Sequence, residues 1–434
     1  MSKTAMIHTL GCRLNSADTA LLTSRLEEAG YTLVQSAENP DLIVVNSCTV
    51  TGEASRKSRQ AVRKFRSAHP EAIIIVTGCG AETDREAFLA DNAASAVITN
   101  PEKRKIIPLI MEYLAGKASA AVGGLEQSLG EGDKPFIENT FSRFPFRSRA
   151  FIKIQEGCNN YCTYCIVPYT RGHERSRDFA ECIADCRQAV KAGFPEIVLT
   201  GVNTCAYSNS GKDLGDLVHE VAAIEGDFRI RLSSTEPAPD NLGLLEVMAS
   251  EKKVCRFLHL ALQHGCDRIL ERMNRHYTRE VYANFVRTAR ELIPGIHIGS
   301  DLIVGFPGET EEDFMDSCNF IRQMEFANLH IFTYSKRPGT PAAAMPDQIP
   351  GNVAQERYKY LKNIADISHR NFLVSQTGKT LPVIFERVGS DGFARGWSDN
   401  YIEVRRPAAE VPLDKIVPVS IRGDEFTGSQ EILS

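Results

Sequence analysis

Three cysteines, Cys158, Cys162 and Cys165, stand close together in the spacing C-x3-C-x2-C. Thiolates bind zinc and iron–sulfur clusters, but three of them leave one position of a tetrahedral structural zinc site without a protein ligand. The same three can hold three irons of a four-iron cluster and leave the fourth iron open to a substrate or cofactor. The spacing therefore predicts a four-iron cluster, with a zinc site completed by His173 or Cys182 as the alternative.

A second set of cysteines, Cys12, Cys48 and Cys79, is spread along the N-terminal region, and each stands one or two residues past a short apolar segment typical of a strand. Because the carboxyl ends of parallel strands share one edge of a sheet, the three thiols are expected to converge there. Gly11 and Gly78 beside two of them would let the backbone approach a bulky ligand. The alternative is three free cysteines that pack in a core. Core packing is also the prediction for the remaining six: Cys182, Cys186, Cys205, Cys255, Cys266 and Cys318.

The elements that must position these cysteines alternate between strand and helix, which predicts an α/β fold class. Residues 1–115 read as an N-terminal α/β domain with a parallel sheet. Residues 116–149, rich in glycine and without a period, read as a linker. Residues 150–377 contain six strand and helix pairs, which predicts a parallel (β/α) barrel that is incomplete, since a full one has eight. Residues 378–434 have short strands and no helical period, which predicts a small β-barrel.

Composition sets limits on partners and location. The chain has 434 residues, 43% of them hydrophobic, and a net charge of −5, so it is a folded protein whose nucleic-acid contacts would need local basic patches. No apolar run approaches the roughly 18 residues of a membrane helix, and the N-terminus lacks a signal-peptide pattern. A cytoplasmic location is expected. In a reducing compartment the 12 cysteines favour metal binding, catalysis or burial over disulfides.

The C-x3-C-x2-C motif, with Tyr164 before its last cysteine, resembles the radical S-adenosylmethionine superfamily. Together with the three upstream cysteines and the C-terminal barrel, the whole chain resembles the methylthiotransferases, whose C-terminal domain is called TRAM. Residues 11–15, 46–50, 77–79 and 305–310 carry the resemblance. It implies two [4Fe-4S] clusters and S-adenosyl-L-methionine as cofactors. It also implies tRNA, a small electron-transfer protein as reductant and a sulfur donor as partners, and no membrane.

In that family the barrel cluster binds and reduces S-adenosylmethionine, which yields a radical that abstracts hydrogen from the substrate, and the second cluster carries the sulfur that is inserted. The resemblance implies these cofactor contacts: Tyr164 near the adenine, Gly201 and Asn203 near the methionyl amine, Ser233 and Glu236 on the ribose side, Ile303 and Gly305 on the adenine side. Without the resemblance, the two glycines could equally be turns at strand ends and Ser233 a cap.

Two groups of arginines are candidate RNA contacts. On the predicted helix after Cys48 they recur at i, i+3, i+7 and i+10 and form one stripe: Arg56, Arg59, Arg63 and Arg66. A solvated helix face is the alternative. In the C-terminal barrel, arginines stand among aromatic residues, a mixture typical of single-strand RNA modules: Arg395, Arg405 and Arg406 with Phe393, Trp397 and Tyr401. An aromatic core would explain the last two residues equally well.

These patterns predict a radical enzyme that replaces a C–H bond of a tRNA adenosine with a methylthio group. Residues 11–15 and 334–343 resemble the branch that acts on N6-threonylcarbamoyladenosine at position 37, although Glu82 stands where that branch is expected to have Gln. Arg337 and Arg13 are predicted to bind the substrate carboxylate, because a guanidinium fork suits a carboxylate; a surface role for Arg337 is the alternative. Other possible substrates are isopentenyladenosine of tRNA and an aspartate of a ribosomal protein. A non-catalytic, zinc-containing RNA-binding protein is the hypothesis from a different class.

Overall fold

The computed structural model describes residues 3–34, 39–100, 106–114, 121–122, 148–237 and 242–423. Most of the predicted linker, 116–149, lies outside these residues. In the described part of the chain no helix is both long and apolar enough to cross a membrane.

The N-terminal unit is a fully parallel sheet in the order β2-β1-β3-β4-β5-β6. Helices α1 and α5 cover one face of this sheet, and α2, α3 and α4 cover the other. This confirms the predicted parallel α/β architecture, but β6 falls inside the predicted linker. The elements of this unit are β1 Lys3–Thr9, α1 Arg13–Glu28, β2 Tyr31–Leu33, β3 Leu42–Ser47, α2 Gly52–Ala68, β4 Ile73–Gly78, α3 Cys79–Thr83, α4 Arg85–Leu89, β5 Ala96–Ile98, α5 Ile106–Leu114 and β6 Ala121–Val122.

The central unit is an incomplete parallel barrel, as predicted. Its strands form two ladders, β13-β10-β7 and β14-β15-β16-β17, and a parallel bridge between Ile230 and Val254 connects them. No ladder joins β7 to β17 in the described residues, so the barrel is open on that side. The elements are β7 Arg149–Lys153, β8 Gln155–Glu156, α6 Val167–Arg171, β9 Arg175–Ser176, α7 Phe179–Lys191, β10 Glu196–Thr200, β11 Ser208–Asn209, β12 Lys212–Asp213, α8 Leu214–Ala222, β13 Arg229–Leu232, β14 Ser234–Thr235, α9 Leu242–Ser250, β15 Phe257–Leu260, α10 Asp267–Arg272, α11 Arg279–Leu292, β16 His297–Val304, α12 Glu311–Met324, β17 Asn328–Thr333, α13 Pro341–Ala344 and α14 Gly351–Gln376.

Helix α1 of the N-terminal unit packs against the inner face of the barrel. Along β7, Ile152 faces the barrel helices, whereas Phe151 faces inward and contacts Ala17 of α1 together with Val198 of β10. This follows from the alternation of side chains along a strand. Asp18 of α1 is therefore buried and pairs with Lys153 at 2.7 Å. The N-terminal unit is thus fixed to the open side of the barrel.

The C-terminal unit is an antiparallel sheet in the order β20-β19-β18-β21, where β18 is Thr380–Val388, β19 Phe393–Ser398, β20 Glu403–Pro407 and β21 Ile416–Ser420. It lies at the amino end of the barrel strands. There Arg229 donates to the carbonyls of Pro382 and Trp397, at 2.9 and 3.0 Å, and Arg231 donates to that of Asp399 at 3.0 Å. Both arginines also pair with the fully buried Glu196.

Trp397 and Tyr401 lie at the contact between this unit and the barrel, so for these two residues the structure agrees with the alternative of a packing role. Trp397 stacks on Tyr401 with ring centres 4.6 Å apart, and Tyr401 packs on Phe257 at the start of β15 at 4.8 Å. Phe393 instead carries the guanidinium of Arg405 over its ring at 3.8 Å. The unit therefore closes one end of the barrel with an aromatic contact.

Candidate active site between two cysteine triads

The barrel triad lies in a loop that closes on itself. A Cβ at Gly157, which has φ +73°, would come within 1.9 Å of the carbonyl oxygen of His173, so only glycine fits there. Cys158 donates its backbone N–H to Gly172 at 3.2 Å. We refer to residues 157–172 as the cluster loop. Its three cysteines line one cavity of about 330 Å³ at the carboxyl ends of the barrel strands.

The segment after α10 holds the cluster loop in place. Thr163 donates its N–H to the carbonyl of Met273 at 3.0 Å, and the Asn274 side chain donates to that of Asn160 at 2.8 Å. Arg275 places Nη1 3.1 Å from the Cys162 sulfur. Sequence reasoning missed Arg275, because nothing in its local pattern marks it as a partner of a cysteine more than 100 residues earlier.

Four of the predicted cofactor contacts line the cavity: Tyr164, Asn203, Glu236 and Ile303. Glu236 is held by hydrogen bonds from three sides: it accepts from the side chains of Asn160 at 2.8 Å, Asn203 at 3.2 Å and Arg275 at 2.8 Å. The structure therefore brings a fixed carboxylate and several amide groups to the wall beside the barrel triad.

Gly201, Ser233 and Gly305 are not among the residues that line the cavity. A Cβ at Gly201 would lie 2.9 Å from the Gln155 side chain, and Ser233 is buried where its Oγ accepts from the Gly201 N–H at 3.4 Å. Gly305 has φ +74°, and its N–H donates to the carboxylate of Glu309. The alternative interpretation therefore applies to these three positions: Gly201 and Gly305 are turns at strand ends, and Ser233 is a local cap.

The N-terminal triad converges as predicted at the carboxyl edge of its sheet. Cys12 is the N-cap of α1, whereas Cys48 and Cys79 directly follow β3 and β4. A Cβ at Gly11 would lie 2.8 Å from the Cys48 sulfur. Burial, and to a smaller extent the nearby Cys79 and Cys12, raises the pKa of Cys48 to about 11.

The close approach permitted by the two glycines is to protein rather than to a ligand, which corrects our expectation. Gly78 has φ +90°, and a Cβ there would lie 2.4 Å from the carbonyl oxygen of Ser47 on the neighbouring strand. Ser58 of α2 adds a contact that the sequence did not reveal: its hydroxyl accepts from the Cys48 N–H at 3.1 Å and donates to the Cys48 carbonyl at 3.0 Å. The backbone around Cys48 is therefore rigid.

Neither triad has the compact spacing of a tetrahedral zinc site. A tetrahedral zinc holds its sulfur ligands about 3.8 Å apart. In the described part of the chain, the one group of three His, Cys, Asp or Glu donors that all lie within 4.8 Å of one another is His259, Asp301 and His330, so neither cysteine triad is that compact. His173 contacts Tyr161 and Asn159 at 3.4 and 3.3 Å, and Cys182 is buried in the barrel core. Neither supplies the fourth ligand of a zinc site.

Two of the barrel cysteines hold their protons more tightly than a free thiol does. Burial raises the pKa of Cys158 to about 11 and that of Cys165 to about 12. Metal binding must therefore displace protons from these thiols.

Asp301 lines the cavity and stands between two imidazoles. Its carboxylate accepts from His259 at 3.0 Å and from His330 at 3.2 Å. Burial opposes ionisation of Asp301, but these two hydrogen bonds hold its pKa well below the usual range. Two residues along β17 from His330, Phe332 lines the cavity with 41% of its surface exposed. The open side of the barrel thus presents an aromatic ring to solvent.

Residues of the N-terminal unit complete the cavity. Val50 and Thr51 line it opposite the barrel, and Gly52 donates its N–H to Ser335 at 3.0 Å. Arg337 is only 8% exposed and donates to the hydroxyls of Thr49 and Ser55. It joins the two units and is not among the cavity-lining residues, which corrects its predicted role.

Arg13 also lies away from the cavity, in correction of its predicted contact with the substrate. Its guanidinium stands 5.4 and 5.5 Å from the ring centres of Phe257 and Tyr401, and it donates to the carbonyl of Leu232 at 3.4 Å. Among the residues that line the cavity, the one cation is Arg275.

The predicted arginine stripe on α2 divides into two kinds of residue. Arg66 donates to the carbonyls of Asn92, Pro70 and Ala72 and to the Ser95 hydroxyl, at 2.8–3.1 Å, so it has a structural role. Arg59 pairs with Asp84 at 2.7 Å. Exposed cations remain at four other positions of the helix, a set that we call the α2 basic face: Arg56, Lys57, Arg63 and Lys64.

The two cations predicted to bind RNA from the C-terminal unit face each other across β19 and β20. Arg395 and Arg405 are register partners, and both contact Asp391, at 2.5 and 3.4 Å. Their role in RNA binding stays a prediction.

Two family models match separate parts of the chain. Residues 152–321 match the radical SAM superfamily, and residues 4–99 match the uncharacterized protein family UPF0004. The first match contains the barrel triad, and the second contains Cys12, Cys48 and Cys79. The division between the models therefore coincides with the division between the two triads.

Curated relatives match almost the whole chain. The threonylcarbamoyladenosine tRNA methylthiotransferase MtaB of Bacillus subtilis (strain 168) is 37% identical over 425 residues, which cover 96% of this chain and 93% of that protein. The protein of the same name from Aquifex aeolicus (strain VF5) is 36% identical, over 92% and 95%. A tRNA-2-methylthio-N(6)-dimethylallyladenosine synthase of Cereibacter sphaeroides is 35% identical, over 88% and 87%.

Among solved structures, the radical S-adenosylmethionine methyltransferase TsrM from Kitasatospora setae superposes with a TM-score of 0.61 and 16% identity, over 79% of this chain and 77% of that one. At this identity the similarity concerns the fold alone. It agrees with the arrangement of an α/β unit beside an open barrel.

Proposed function

Because this chain belongs to the methylthiotransferases of the radical SAM superfamily, we propose that it inserts a methylthio group at C2 of N6-threonylcarbamoyladenosine 37 in tRNA. The observation that carries the proposal is one cavity, lined by the barrel triad on one side and by the residues that follow Cys48 on the other. Cys12, Cys48 and Cys79 do not line the cavity themselves, so a base in it would lie between the barrel triad and the segment that follows Cys48. We also propose the domain boundaries predicted from the sequence: an N-terminal domain of residues 1–115, a linker of 116–149, a radical SAM core of 150–377 and a C-terminal domain of 378–434.

The barrel triad would hold one [4Fe-4S] cluster, and Cys12, Cys48 and Cys79 a second one. The wide spacing of the sulfurs and the open side of the barrel triad support this assignment. When bound, the barrel cluster and S-adenosylmethionine would supply the radical that removes hydrogen, and the second cluster would supply sulfur. A small electron-transfer protein as reductant and a separate sulfur donor complete the proposal.

The residues of the chain would bind and orient the reactants. Tyr164, Asn203, Glu236 and Ile303 form the wall on which the cofactor would rest, and Glu236 cannot turn away because three side chains hold it. The substrate base must leave its stack to reach the cavity, and such flipped bases are usually held by aromatic or apolar side chains. Phe332 and Val50 offer such surfaces at the cavity.

Polar side chains at the cavity favour the threonylcarbamoyl group over an isopentenyl group. Hydroxyl and amide side chains line the cavity: Thr51, Gln263, Thr333 and Ser335. The threonylcarbamoyl group offers a carboxylate and a hydroxyl as partners, whereas the isopentenyl group is hydrocarbon. A site with such donors rejects a substrate that leaves them unpaired.

The test compares one tRNA in three forms, with plain adenosine, isopentenyladenosine or threonylcarbamoyladenosine at position 37. Anaerobically reconstituted protein, S-adenosylmethionine, a sulfide source and a chemical reductant are supplied, and the methylthio nucleosides are measured by mass spectrometry. We expect turnover of the threonylcarbamoyl form at roughly 100-fold or more above the other two. Equal turnover of the isopentenyl form would overturn the substrate but leave the family intact. S-adenosylmethionine cleavage with no product on any tRNA would overturn the tRNA assignment.

A further inference from the structure

One side chain of the cluster loop reaches the other triad. Arg171, six residues after Cys165, places Nε 3.1 Å from the Cys79 sulfur, and its side chain is only 3% exposed. We propose that Arg171 is a positioning residue that sets the reduction potential of the cluster on Cys12, Cys48 and Cys79. The inference rests on the proposed function in one respect, that this triad holds a cluster.

The guanidinium of Arg171 is fixed so that Nε must point at the sulfur. Nη1 donates to Glu156 at 2.7 Å, and Nη2 donates to Asn15 at 2.7 Å and to Asp18 at 3.1 Å. Asn15 also donates to the carbonyls of Leu10 and Ser47, at 2.6 and 3.0 Å. The residues that orient Arg171 are therefore tied to the strand ends that carry Cys12 and Cys48.

Charge balance gives the direction of the effect. Lys153 pairs with Asp18 at 2.7 Å and with Glu156 at 2.8 Å, so two cations and two carboxylates form one buried network. A neutral residue at 171 would leave this network with one negative charge in excess beside Cys79. One-electron reduction adds a further negative charge to a cluster, and hydrogen bonds to the ligand sulfurs stabilise the reduced form. Loss of Arg171 should therefore lower the midpoint potential, and burial strengthens the effect because screening is weak.

The barrel triad has a comparable contact. Arg275, 5% exposed, donates to Cys162 at the same distance of 3.1 Å and pairs with Glu236. Arg275 comes from its own unit, whereas Arg171 crosses from the barrel to the N-terminal unit. The cluster loop thus supplies both the ligands of one cluster and the charge that faces the other. The reduction potential of the second cluster then depends on how the two units pack against each other.

The experiment uses the full chain with Cys158, Cys162 and Cys165 changed to Ala, so that the N-terminal cluster alone remains. Arg171→Met, Arg171→Gln and Arg171→Lys are introduced into this parent, and Arg177→Met serves as the control. Arg177 is equally buried and pairs with Asp185 at 2.7 Å. The midpoint potential is measured by titration with dithionite and redox mediators, followed by electron paramagnetic resonance.

We expect a more negative midpoint potential for Arg171→Met and Arg171→Gln, a smaller shift for Arg171→Lys, and the parent value for Arg177→Met. An unchanged potential in Arg171→Met at full iron content would overturn the inference. Should Arg171→Met fail to bind iron, Arg171→Gln decides in the same way, and the potential of Arg171→Lys decides if both neutral variants fail. Absence of iron from the parent itself would overturn the proposed second cluster instead, so the two failures are distinguishable.

Discussion

Replacement of Phe332 tests whether the aromatic ring at the open side of the barrel holds the substrate base. The ring lines the cavity, and 41% of its surface is exposed, so it is available to stack on a base. Stacking of a base on an aromatic side chain contributes about 1–3 kcal/mol. At about 1.4 kcal/mol per tenfold change, Phe332→Leu should raise KM for tRNA roughly 5- to 150-fold. Phe332→Trp keeps a ring and should stay near the parent.

The assay measures methylthio product against tRNA concentration and, separately, cleavage of S-adenosylmethionine without tRNA. The second rate should be unchanged, because Phe332 is not one of the predicted cofactor contacts. Tyr360→Leu is the matched control, since Tyr360 is 43% exposed on α14 and does not line the cavity. A KM for tRNA that is equal in Phe332→Leu and Tyr360→Leu would refute the stacking argument, and a loss of S-adenosylmethionine cleavage would show a role in the cofactor site instead.

Two further outcomes are expected. Changing the barrel triad to Ala should remove about half of the iron and all cleavage of S-adenosylmethionine, whereas changing Cys12, Cys48 and Cys79 to Ala should remove the other half and spare cleavage; iron analysis that finds no loss in either variant would contradict the two-cluster proposal. Changing the whole α2 basic face to Gln should weaken tRNA binding and reduce the slope of log affinity against log salt by roughly 0.7 to 0.9 per lost phosphate contact. The same changes at Lys359 and Lys362 of α14 are the control, and equal slopes for the two variants would identify the α2 basic face as merely solvated.

Local sequence patterns were sufficient to predict the strands and therefore the convergence of Cys12, Cys48 and Cys79. Strands β3 and β4 are short, and in each of them the first four residues are branched apolar side chains. In a parallel sheet, the residues that follow such strands lie at one common edge. The same reasoning placed the barrel triad at the carboxyl ends of its strands.

Contacts between distant segments could not be predicted in the same way. Arg171 and Arg66 are both cations near a proposed site, yet one donates to a cysteine sulfur and the other to backbone carbonyls. Their roles depend on which atoms surround them after the units dock, and a helical period carries no such information. Trp397 and Tyr401 were ambiguous for the same reason: an aromatic pair in a small β unit suits a ligand surface and a domain contact equally well.

The contact between the C-terminal unit and the amino end of the barrel strands affects which substitutions the chain tolerates and which deletions are informative. Arg229 and Arg231 use backbone carbonyls of the C-terminal unit as acceptors, and every residue type supplies such a carbonyl. These three hydrogen bonds therefore do not depend on the side chains of the acceptor residues, provided that the path of the chain is kept. The rest of the junction does depend on side chains, namely the stacked Trp397 and Tyr401 and the Arg256–Asp399 pair at 2.7 Å. A truncation after residue 377 would strip these guanidiniums of their acceptors and expose the apolar surface around Phe257. Loss of activity in such a truncation could therefore come from a destabilised barrel. Substitution of exposed residues on the C-terminal unit tests what this unit binds without disturbing the contact.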